Sequence, residues 1–457
     1  MRSLDLLLEA WKLGQNSRKS RREILEMREK MFRDLLRHAY NHSRFYRDYY
    51  QSHGIRADDL EDIPIHELPP IDKGIFIENF DDLTTREELN RRDIARFLAR
   101  GQDREEKYLG RYTLVHSSGS TGPPTYFVYD PVAWRTVLAA AFRACKGEVT
   151  MPQVIAAALG RIRVMYVAAT EGRFGGAMAA GAGIRGFGFR PLLLNINSPL
   201  EQWAERVRAF GPNVIIGYPS GLKILCDLVK GDKVRLEAFR VITGGEPLTR
   251  PVREYIESTL GTEVFDLYAA SESLVIGLGR RRYGGMYLFD DINYVEFDEG
   301  YTYLTPLYNY SQPLIRYRLT DKLEGKARGD HEPLPYTKIE RVVGRDEEMM
   351  WFINAKGGRD FLHPLVIDEL EVEGMAKHQF VQRSEHSFEI RVLLQPGADL
   401  AYVERELRRQ MDKILAEKEL SNLRYEVRPV DDIPIDPSTG KSKMVVRRTQ
   451  GPAPNAP

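Results

Sequence analysis

The segment from about residue 160 to 270 most constrains the fold, because short apolar runs alternate there with helical patterns. The runs are RVMYVAA, PLLLNI, NVIIGY, FRVITGG and TEVFDLYA, and amphipathic stretches such as SPLEQWAERVRAF separate them. This alternation is typical of βαβ units, in which helices cover parallel strands. Ser198 and Thr249 stand where two of the helices begin and are predicted to be N-caps. We therefore predict an α/β fold with a mostly parallel, helix-covered sheet.

The flanking patterns divide the chain. Period-two alternation over residues 285–319 predicts an antiparallel sheet beside the parallel one. An apolar stripe between Ser20 and Tyr50 predicts an N-terminal helical segment, and the pattern beyond Gly344 predicts a small α+β unit. We predict a large domain over 1–343, with 1–55 as its helical segment, a small, mobile C-terminal α+β domain over 344–448, and a disordered tail over 449–457.

The charge balance excludes some classes of function. Sixty-six Lys and Arg residues match 66 Asp and Glu residues, for a formal net charge of +0. This balance argues against a general nucleic-acid or anionic-membrane binder. No run of about 18 apolar residues predicts a membrane span, and the N-terminus is a poor signal peptide. Cys145 and Cys226 lie in apolar, helix-like stretches typical of buried free thiols. Together these features predict a cytoplasmic protein.

A loop rich in hydroxyl groups and glycine, HSSGSTGPPT at 116–125, lies between the strand-like runs YTLV and YFVY. Its backbone N–H and side-chain O–H groups could bind phosphate oxygens, and glycine would allow a close approach of the backbone. The same composition also suits an ordinary hairpin turn. From composition alone both interpretations remain open.

Three other patterns are interpreted as structural. GKS at 440–442 resembles the end of a phosphate-binding Walker A loop, but Ile435 occupies the position of its first glycine. GAGIRG at 181–186 fits GxGxxG, but it precedes a strand within a helix, which favours helix packing over dinucleotide binding. His38 and His42 are spaced for metal chelation on a helix but have no third ligand nearby in the sequence.

Six short motifs follow one another along the chain: SSGSTGPP at 117–124, GGEP at 244–247, YAASES at 268–273, LIRYRLTD at 314–321, VGRDEEM at 343–349 and TGKSK at 439–443. In this order they resemble the motifs of the adenylate-forming enzymes, most of all the phenylacetate-CoA ligase branch and its relatives of unassigned substrate associated with polysaccharide biosynthesis. The resemblance covers most of the chain. It implies a two-step reaction, in which a carboxylate attacks ATP to give an acyl-adenylate and a nucleophile, most simply CoA, then displaces AMP.

The resemblance also implies roles for particular residues in binding ATP. The phosphate loop would consist of Ser117, Ser118, Gly119, Ser120, Thr121 and Gly122. Gly245, Glu246 and Pro247 would line the adenine, and Tyr268 would stack on it. Asp321 would bind the ribose hydroxyls, and Arg345 would lie close to the nucleotide.

Further residues match the catalytic parts of the family pattern. Glu272 would hold Mg²⁺, and Lys441, with Lys443 as a competitor, would act in adenylation. Joining a carboxylate to a phosphate brings two anions together, so a cation and a lysine would offset their repulsion. Glu347 falls at the expected hinge before the small domain. Tyr218 and Ala269 are predicted to line the acyl pocket.

One departure from the family pattern keeps alternatives open. Pro123 follows Gly122 where the phosphate loop usually has lysine, so a catalytically weak nucleotide-binding partner in a biosynthetic assembly remains a second hypothesis. The acceptor could also be a carrier protein, an amine or a hydroxyl rather than CoA, and the chain could form a homodimer. Redox chemistry with NAD would rest on the glycine triplet alone. The partners implied are thus a small carboxylic acid and CoA, and no nucleic acid.

Overall fold

The computed structural model describes residues 3–100, 106–116, 125–169, 175–298, 301–319, 321–327, 332–343, 350–362, 367, 370, 372–436, 441–442 and 444–447. The α-helices are α1 (Ser3–Asn16), α2 (Arg21–His42), α3 (Arg44–Ser52), α4 (Lys73–Glu78), α5 (Phe80–Leu83), α6 (Arg91–Ala99), α7 (Pro131–Lys146), α8 (Met151–Ala158), α9 (Gly175–Gly186), α10 (Leu200–Phe210), α11 (Pro219–Lys230), α12 (Arg250–Leu260) and α13 (Leu400–Glu417). Short 3₁₀ helices cover Ala57–Glu61, Ile65–Glu67 and Arg281–Tyr283.

The strands of the N-terminal part are β1 (Thr113–His116), β2 (Tyr126–Tyr129), β3 (Arg163–Ala168), β4 (Arg190–Asn195), β5 (Val214–Gly217), β6 (Arg240–Gly244), β7 (Val264–Tyr268), β8 (Gly277–Arg280), β9 (Gly285–Leu288), β10 (Asn293–Asp298), β11 (Tyr301–Pro306), β12 (Tyr317–Leu319), β13 (Lys322–Ala327) and β14 (Thr337–Val343). Those that follow are β15 (Met350–Ile353), β16 (Arg359–Leu362), β17 (Met375–Ser384), β18 (Ser387–Leu394), β19 (Arg424–Pro429), β20 (Ile435–Asp436), β21 (Lys441–Ser442) and β22 (Val445–Arg447).

A nine-stranded mixed sheet forms the centre of the N-terminal part, in the order β13-β14-β9-β8-β7-β6-β5-β3-β4. Strands β4, β3, β5, β6 and β7 are parallel, and the strands beyond β7 are antiparallel. Helices cover both faces: on β3, Tyr166 packs against Gly176 of α9 and its neighbour Val167 against Gly221 of α11. Neighbouring residues of a strand point to opposite faces, so these two helices lie on opposite sides.

The predicted fold class is confirmed, with one difference in the antiparallel region. Residues 293–319 do form a separate antiparallel sheet, in the order β10-β11-β12. Strand β9, however, joins the nine-stranded sheet, because it pairs with β8 and with β14. Alternation at 285–288 indicated a strand but not its partner, since β14 lies about fifty residues further along the chain.

The N-terminal helices attach to the edge of this fold through buried charges. The Asp290 carboxylate accepts hydrogen bonds from Arg21 at 2.6 Å and from Arg28 at 2.8 Å. Asp291 pairs with the buried Arg143 of α7 and accepts a bond from Asn16 at the end of α1. The helical segment is therefore an integral part of the large unit's packing.

The start of α10 differs from the prediction. Its N-cap is Pro199, so Ser198 is not the cap and that prediction is wrong. The amide of Leu200 instead donates to Asp360 Oδ2 at 2.9 Å. Thr249 does precede α12 as its N-cap residue, although its side chain makes no capping hydrogen bond.

Residues 350–447, the C-terminal unit, have a sheet and a core of their own. The sheet has the order β19-β18-β17-β22, and α13 packs on it through Val403, Leu407, Met411 and Leu415. The predicted hinge residue Glu347 and the tail 449–457 lie outside the described residues. The domain boundary near 343 and the mobility of the unit therefore stay predictions.

The structure shows where the glycine triplet, the two cysteines and the histidine pair lie. The glycine triplet at 181–186 lies in α9, which precedes β4 as expected. Cys145 and Cys226 are free thiols in α7 and α11, and burial raises the pKa of each to about 12. Within the described ranges, no helix is long and apolar enough to cross a membrane, and no group of three or more His, Cys, Asp or Glu residues is placed to hold a metal ion. The His38 and His42 rings stack on each other with centroids 4.3 Å apart.

Candidate active site

Three of the predicted site residues lie at the carboxyl ends of adjacent parallel strands. Tyr218 follows β5, Gly245 follows β6, and Tyr268 is the last residue of β7. In open α/β sheets, ligands bind at this edge, where the loops after the strands open into a crevice. The strand order β7-β6-β5 therefore brings residues 50 positions apart in the sequence into one row.

The turn after β6 is built around a glycine. Gly245 has φ +82°, a left-handed conformation, and a Cβ there would fall 2.7 Å from Cε1 of the Tyr218 ring. Glycine thus allows the ring to lie directly against the backbone of the turn. Pro247, two residues further on, is exposed.

Glu246 ties this turn to the next helix. Its carboxylate accepts hydrogen bonds from the Ser220 amide at 3.1 Å and from the Ser220 hydroxyl at 2.9 Å. Ser220 lies in the first turn of α11, where amide groups have no partner within the helix. Glu246 therefore fixes the start of α11, and with it Tyr218, which immediately precedes that helix.

A second group of residues forms around Tyr268. The Tyr268 hydroxyl donates to Asp321 Oδ2 at 3.2 Å, across 53 residues of sequence. Burial raises the pKa of Tyr268 well above its ordinary value, and the charges of Asp321 and Glu272 add to this effect. The structure thus brings the residues predicted for adenine stacking, ribose binding and metal binding close to one another.

Glu272 is the most perturbed acid of this group. Its pKa is raised from 4.5 to about 7, chiefly because burial disfavours its charge and also because of the nearby Asp321 carboxylate. Lys73 and a hydrogen bond from Tyr317 act in the opposite direction. A carboxyl group whose pKa is shifted this far by burial and by a neighbouring charge is a candidate for a functional site.

The backbone around Glu272 is held on both sides. The Tyr129 hydroxyl at the end of β2 donates to the carbonyl oxygen of Ser271 at 2.8 Å. The buried Ser273 hydroxyl donates to Asn293 at 2.8 Å, and Asn293 Nδ2 donates to the Val275 carbonyl at 2.9 Å. The position of Glu272 is therefore set by neighbours rather than by a free loop.

The predicted phosphate loop is flanked by paired strands. β1 and β2 form an antiparallel pair in which His116 lies opposite Tyr126. Residues 117–122 lie outside the described residues, as does Arg345. Tyr129, at the end of β2, donates a hydrogen bond to Ser271, the neighbour of Glu272. The hairpin that flanks the predicted phosphate loop therefore contacts the segment that contains Glu272.

Two further predicted residues are located only in part. The backbone of Lys441 lies in β21, opposite Asp436 of β20, whereas Lys443 lies outside the described residues. Ala269, predicted to line the acyl pocket with Tyr218, is half-buried beside Tyr268.

Sequence reasoning missed three contributors to the site. Tyr317 lies within the quoted motif LIRYRLTD but was given no role, although it hydrogen-bonds Glu272. Ser220 could have been suspected from its place at the start of a helix. Nothing in the sequence pointed to Lys73, because it precedes Glu272 by almost 200 residues.

Comparison with solved structures identifies the fold, which this chain shares with a CoA ligase. A structure of 2-hydroxyisobutyryl-CoA ligase with 2-HIB-AMP and CoA, in its thioesterification state, matches with a TM-score of 0.58 and 18% identity, over 95% of this chain and 91% of that one. The same ligase in its postadenylation state with 2-HIB-AMP gives a TM-score of 0.52 and 19% identity, over 92% and 88%.

The relatives found by sequence comparison share one name. Phenylacetate-coenzyme A ligase of Escherichia coli K12 is 26% identical over 355 residues, which is 72% of each chain. The protein of that name from Aromatoleum evansii is 24% identical over 349 residues, 69% of each chain. No family model matches the chain. The predicted resemblance to the phenylacetate-CoA ligase branch is confirmed by these relatives and this fold.

Proposed function

We propose that this protein is an ATP-dependent ligase that activates a carboxylic acid as an acyl-adenylate and transfers the acyl group to CoA. The observation that carries the proposal is the convergence of Tyr268, Glu272 and Asp321 at the carboxyl edge of the sheet, in a chain with the fold of such ligases. Sequence similarity to phenylacetate-CoA ligases supports an aryl-acetic or related acid as the substrate class.

In this proposal the row of strand ends binds adenosine. The Gly245 turn and the Tyr268 ring would hold the base, and Asp321 would accept hydrogen bonds from the ribose hydroxyls. The Tyr268–Asp321 bond supports this arrangement, because it fixes the carboxylate beside the ring. Residues 117–122 would bind the β- and γ-phosphates, and Arg345 would lie beside the nucleotide.

The residues present fit a bound Mg²⁺ ion. Glu272 and Asp321 are two acids close enough for the charge of one to raise the pKa of the other, and a cation would relieve that repulsion. Oxygen ligands of this kind suit Mg²⁺. When bound, Mg²⁺ would neutralise charge on the phosphates during attack by the carboxylate. Lys73 adds a positive charge that acts on Glu272, in a chain whose phosphate loop has Pro123 in place of lysine.

Lys441 is assigned to the first step. Its ammonium group would approach the α-phosphate while the acid attacks, and the C-terminal unit would then turn about residue 347 to admit the acceptor. A carrier protein, an amine or a hydroxyl would be alternative acceptors at this stage. Tyr218 and Ala269 would border the acyl group.

Exchange of labelled pyrophosphate into ATP tests the proposal. We expect exchange only in the presence of a suitable acid and Mg²⁺, with phenylacetate and other aryl-acetic acids tried first. Formation of a thioester when CoA is added would establish the second step. Absence of exchange with every acid in a broad panel, combined with ATP binding, would instead favour the non-catalytic nucleotide-binding partner.

Gly245→Ala is expected to weaken ATP binding at least ~10-fold, because the new Cβ would collide with the Tyr218 ring and the backbone would be strained. Isothermal titration with a non-hydrolysable ATP analogue measures the effect. Gly261→Ala is the matched control: that residue also has positive φ, at +64°, but no atom lies within 4 Å of its added Cβ. The control should lose about 1 kcal/mol of stability and keep its ATP affinity. Equal affinities in the two variants would contradict the role of the turn.

A further inference from the structure

A buried ion pair lies where the C-terminal unit meets the N-terminal part. Lys418, at the end of α13, and Asp360, on β16, have side-chain exposures of 0% and 2%, and their N–O distance is 2.8 Å. Lys418 also donates to the carbonyl oxygens of Ile196 and Ser198, each at 3.1 Å. The second Asp360 oxygen accepts from the Leu200 amide at 2.9 Å. The pair thus fills the turn between β4 and α10.

The β15–β16 hairpin contributes an apolar contact to the same interface. Trp351 and Phe361 lie opposite each other and pack into the hydrophobic cluster of the N-terminal part. The centroids of Phe361 and the fully buried Trp203 of α10 are 6.1 Å apart. Met350, Phe352 and Leu362 instead belong to the core of the C-terminal unit. The hairpin therefore joins two cores through its two faces.

The placement of the two charges would allow the C-terminal unit to separate from the N-terminal part without splitting the ion pair. Both members of the ion pair belong to the C-terminal unit, and the groups they meet across the interface are neutral backbone groups. Undocking would carry the pair away intact, so neither side would retain an uncompensated buried charge, which is the costly outcome when a buried pair is split. Water could satisfy the exposed backbone groups of residues 196–200. Among the described residues, an ion pair that does cross the interface, Lys356 with Glu201 at 3.8 Å, is largely exposed and contributes little.

We propose that Lys418 and Asp360 are positioning residues that dock the C-terminal unit on the 196–200 turn in the arrangement used for transfer to the acceptor, and that they release together for adenylation. This inference rests on the proposed function, because it needs a reaction in two steps. The higher of the two TM-scores against 2-hydroxyisobutyryl-CoA ligase, that for the thioesterification state, supports the assignment of the docked arrangement to the second step.

Lys418→Met tests the proposal, since it keeps much of the apolar stem and removes the charge. Two rates are measured on the full-length protein: acid-dependent pyrophosphate exchange, and thioester formation from chemically prepared acyl-adenylate and CoA. We expect thioester formation to fall at least 10-fold and exchange to stay within about 2-fold of the unaltered protein. Lys413→Met on the same helix is the control, because Lys413 is 71% exposed and should affect neither rate.

Leu200→Pro provides a second variant that leaves the C-terminal unit unaltered. It removes the amide that donates a hydrogen bond to Asp360, at the first position of α10, where proline is well tolerated, and it replaces the partly buried Leu200 side chain by a smaller apolar one. We expect the same division between the two rates. A fall of both rates together in both variants, or no fall in either, would overturn the proposal.

Amide hydrogen exchange separates this inference from the proposed function. In the absence of substrates, Lys418→Met should lower the protection of amides in residues 200–204, and Lys413→Met should not. Unchanged protection would refute the docking itself. If protection falls but no acid supports pyrophosphate exchange, the docking is upheld, whereas the proposed function and the assignment of the docked arrangement to acyl transfer both fail.

Discussion

Lys441→Ala should lower acid-dependent pyrophosphate exchange by a factor on the order of 10²–10³, the usual cost of removing one group that stabilises developing charge. The expectation follows from the chemistry, since two anions must combine in the first step and a compact ammonium group offsets their repulsion. The backbone of Lys441 lies in the β20–β21 pair, which gives the residue a fixed place in the C-terminal unit. The rate is measured with the acid that gives the highest exchange in the unaltered protein.

Two comparisons sharpen this result. Lys443→Ala should retain exchange, and the opposite outcome, with Lys443 essential and Lys441 dispensable, would reverse the assignment. Supplying the acyl-adenylate directly should restore thioester formation in Lys441→Ala, because the lysine is assigned only to the first step. A variant that cannot use the supplied adenylate would point to a fault in folding or in CoA binding.

The second large effect concerns pH. With a pKa of about 7, Glu272 should be mostly protonated at pH 6 and mostly ionised at pH 8, and only the ionised form can hold a cation. Exchange at limiting Mg²⁺ is therefore expected to rise across this range. Glu272→Gln should abolish the rise and lower exchange on the order of 10²-fold. Glu254→Gln, a change at an exposed acid on α12, should leave both properties unaltered.

The same shift predicts a stability effect that needs no activity assay. The pKa of Glu272 is higher in the folded protein than its ordinary 4.5, so protonation favours the folded state. The free energy of unfolding without ligands should consequently fall as the pH rises from 4.5 through 7. Glu272→Gln should remove this component, and Asp321→Asn should make it smaller and end it at a lower pH, because loss of the Asp321 charge lowers the pKa of Glu272 in the folded protein only. Thermal unfolding curves at a series of pH values measure both effects: if the two acids do not interact, Asp321→Asn would show the same pH dependence as the unaltered protein, and only Glu272→Gln would differ.

Local patterns predicted much of the fold. The alternation over residues 160–270 gave the parallel strands β3 to β7 and their helices, because each strand and each helix carries its own period of apolar residues. The motifs also identified Tyr268, Glu272 and Asp321, which the structure brings together. Such patterns do not reveal which distant residue a side chain or strand will contact in the folded protein.

The errors and omissions share this cause. Ser198 had the right chemistry for an N-cap, yet the acceptor for α10 is Asp360, 160 residues away. The pKa of Glu272 depends on its burial and on Lys73 and Tyr317, none of which its neighbours in the sequence reveal. Strand β9 was recognised as a strand, but its membership of the larger sheet depends on β14. Long-range pairing is a property of the folded chain and leaves little trace in a short window.

The two-faced hairpin β15–β16 should influence how sequences of this kind diverge. A change at Phe361 alters the fit against Trp203, whereas a change at its neighbour Leu362 alters the packing among the strands of the C-terminal unit. Adjacent positions in the chain would thus covary with different distant residues. Grafting the C-terminal unit onto another ligase would consequently require the surface of α10 to be transplanted with it.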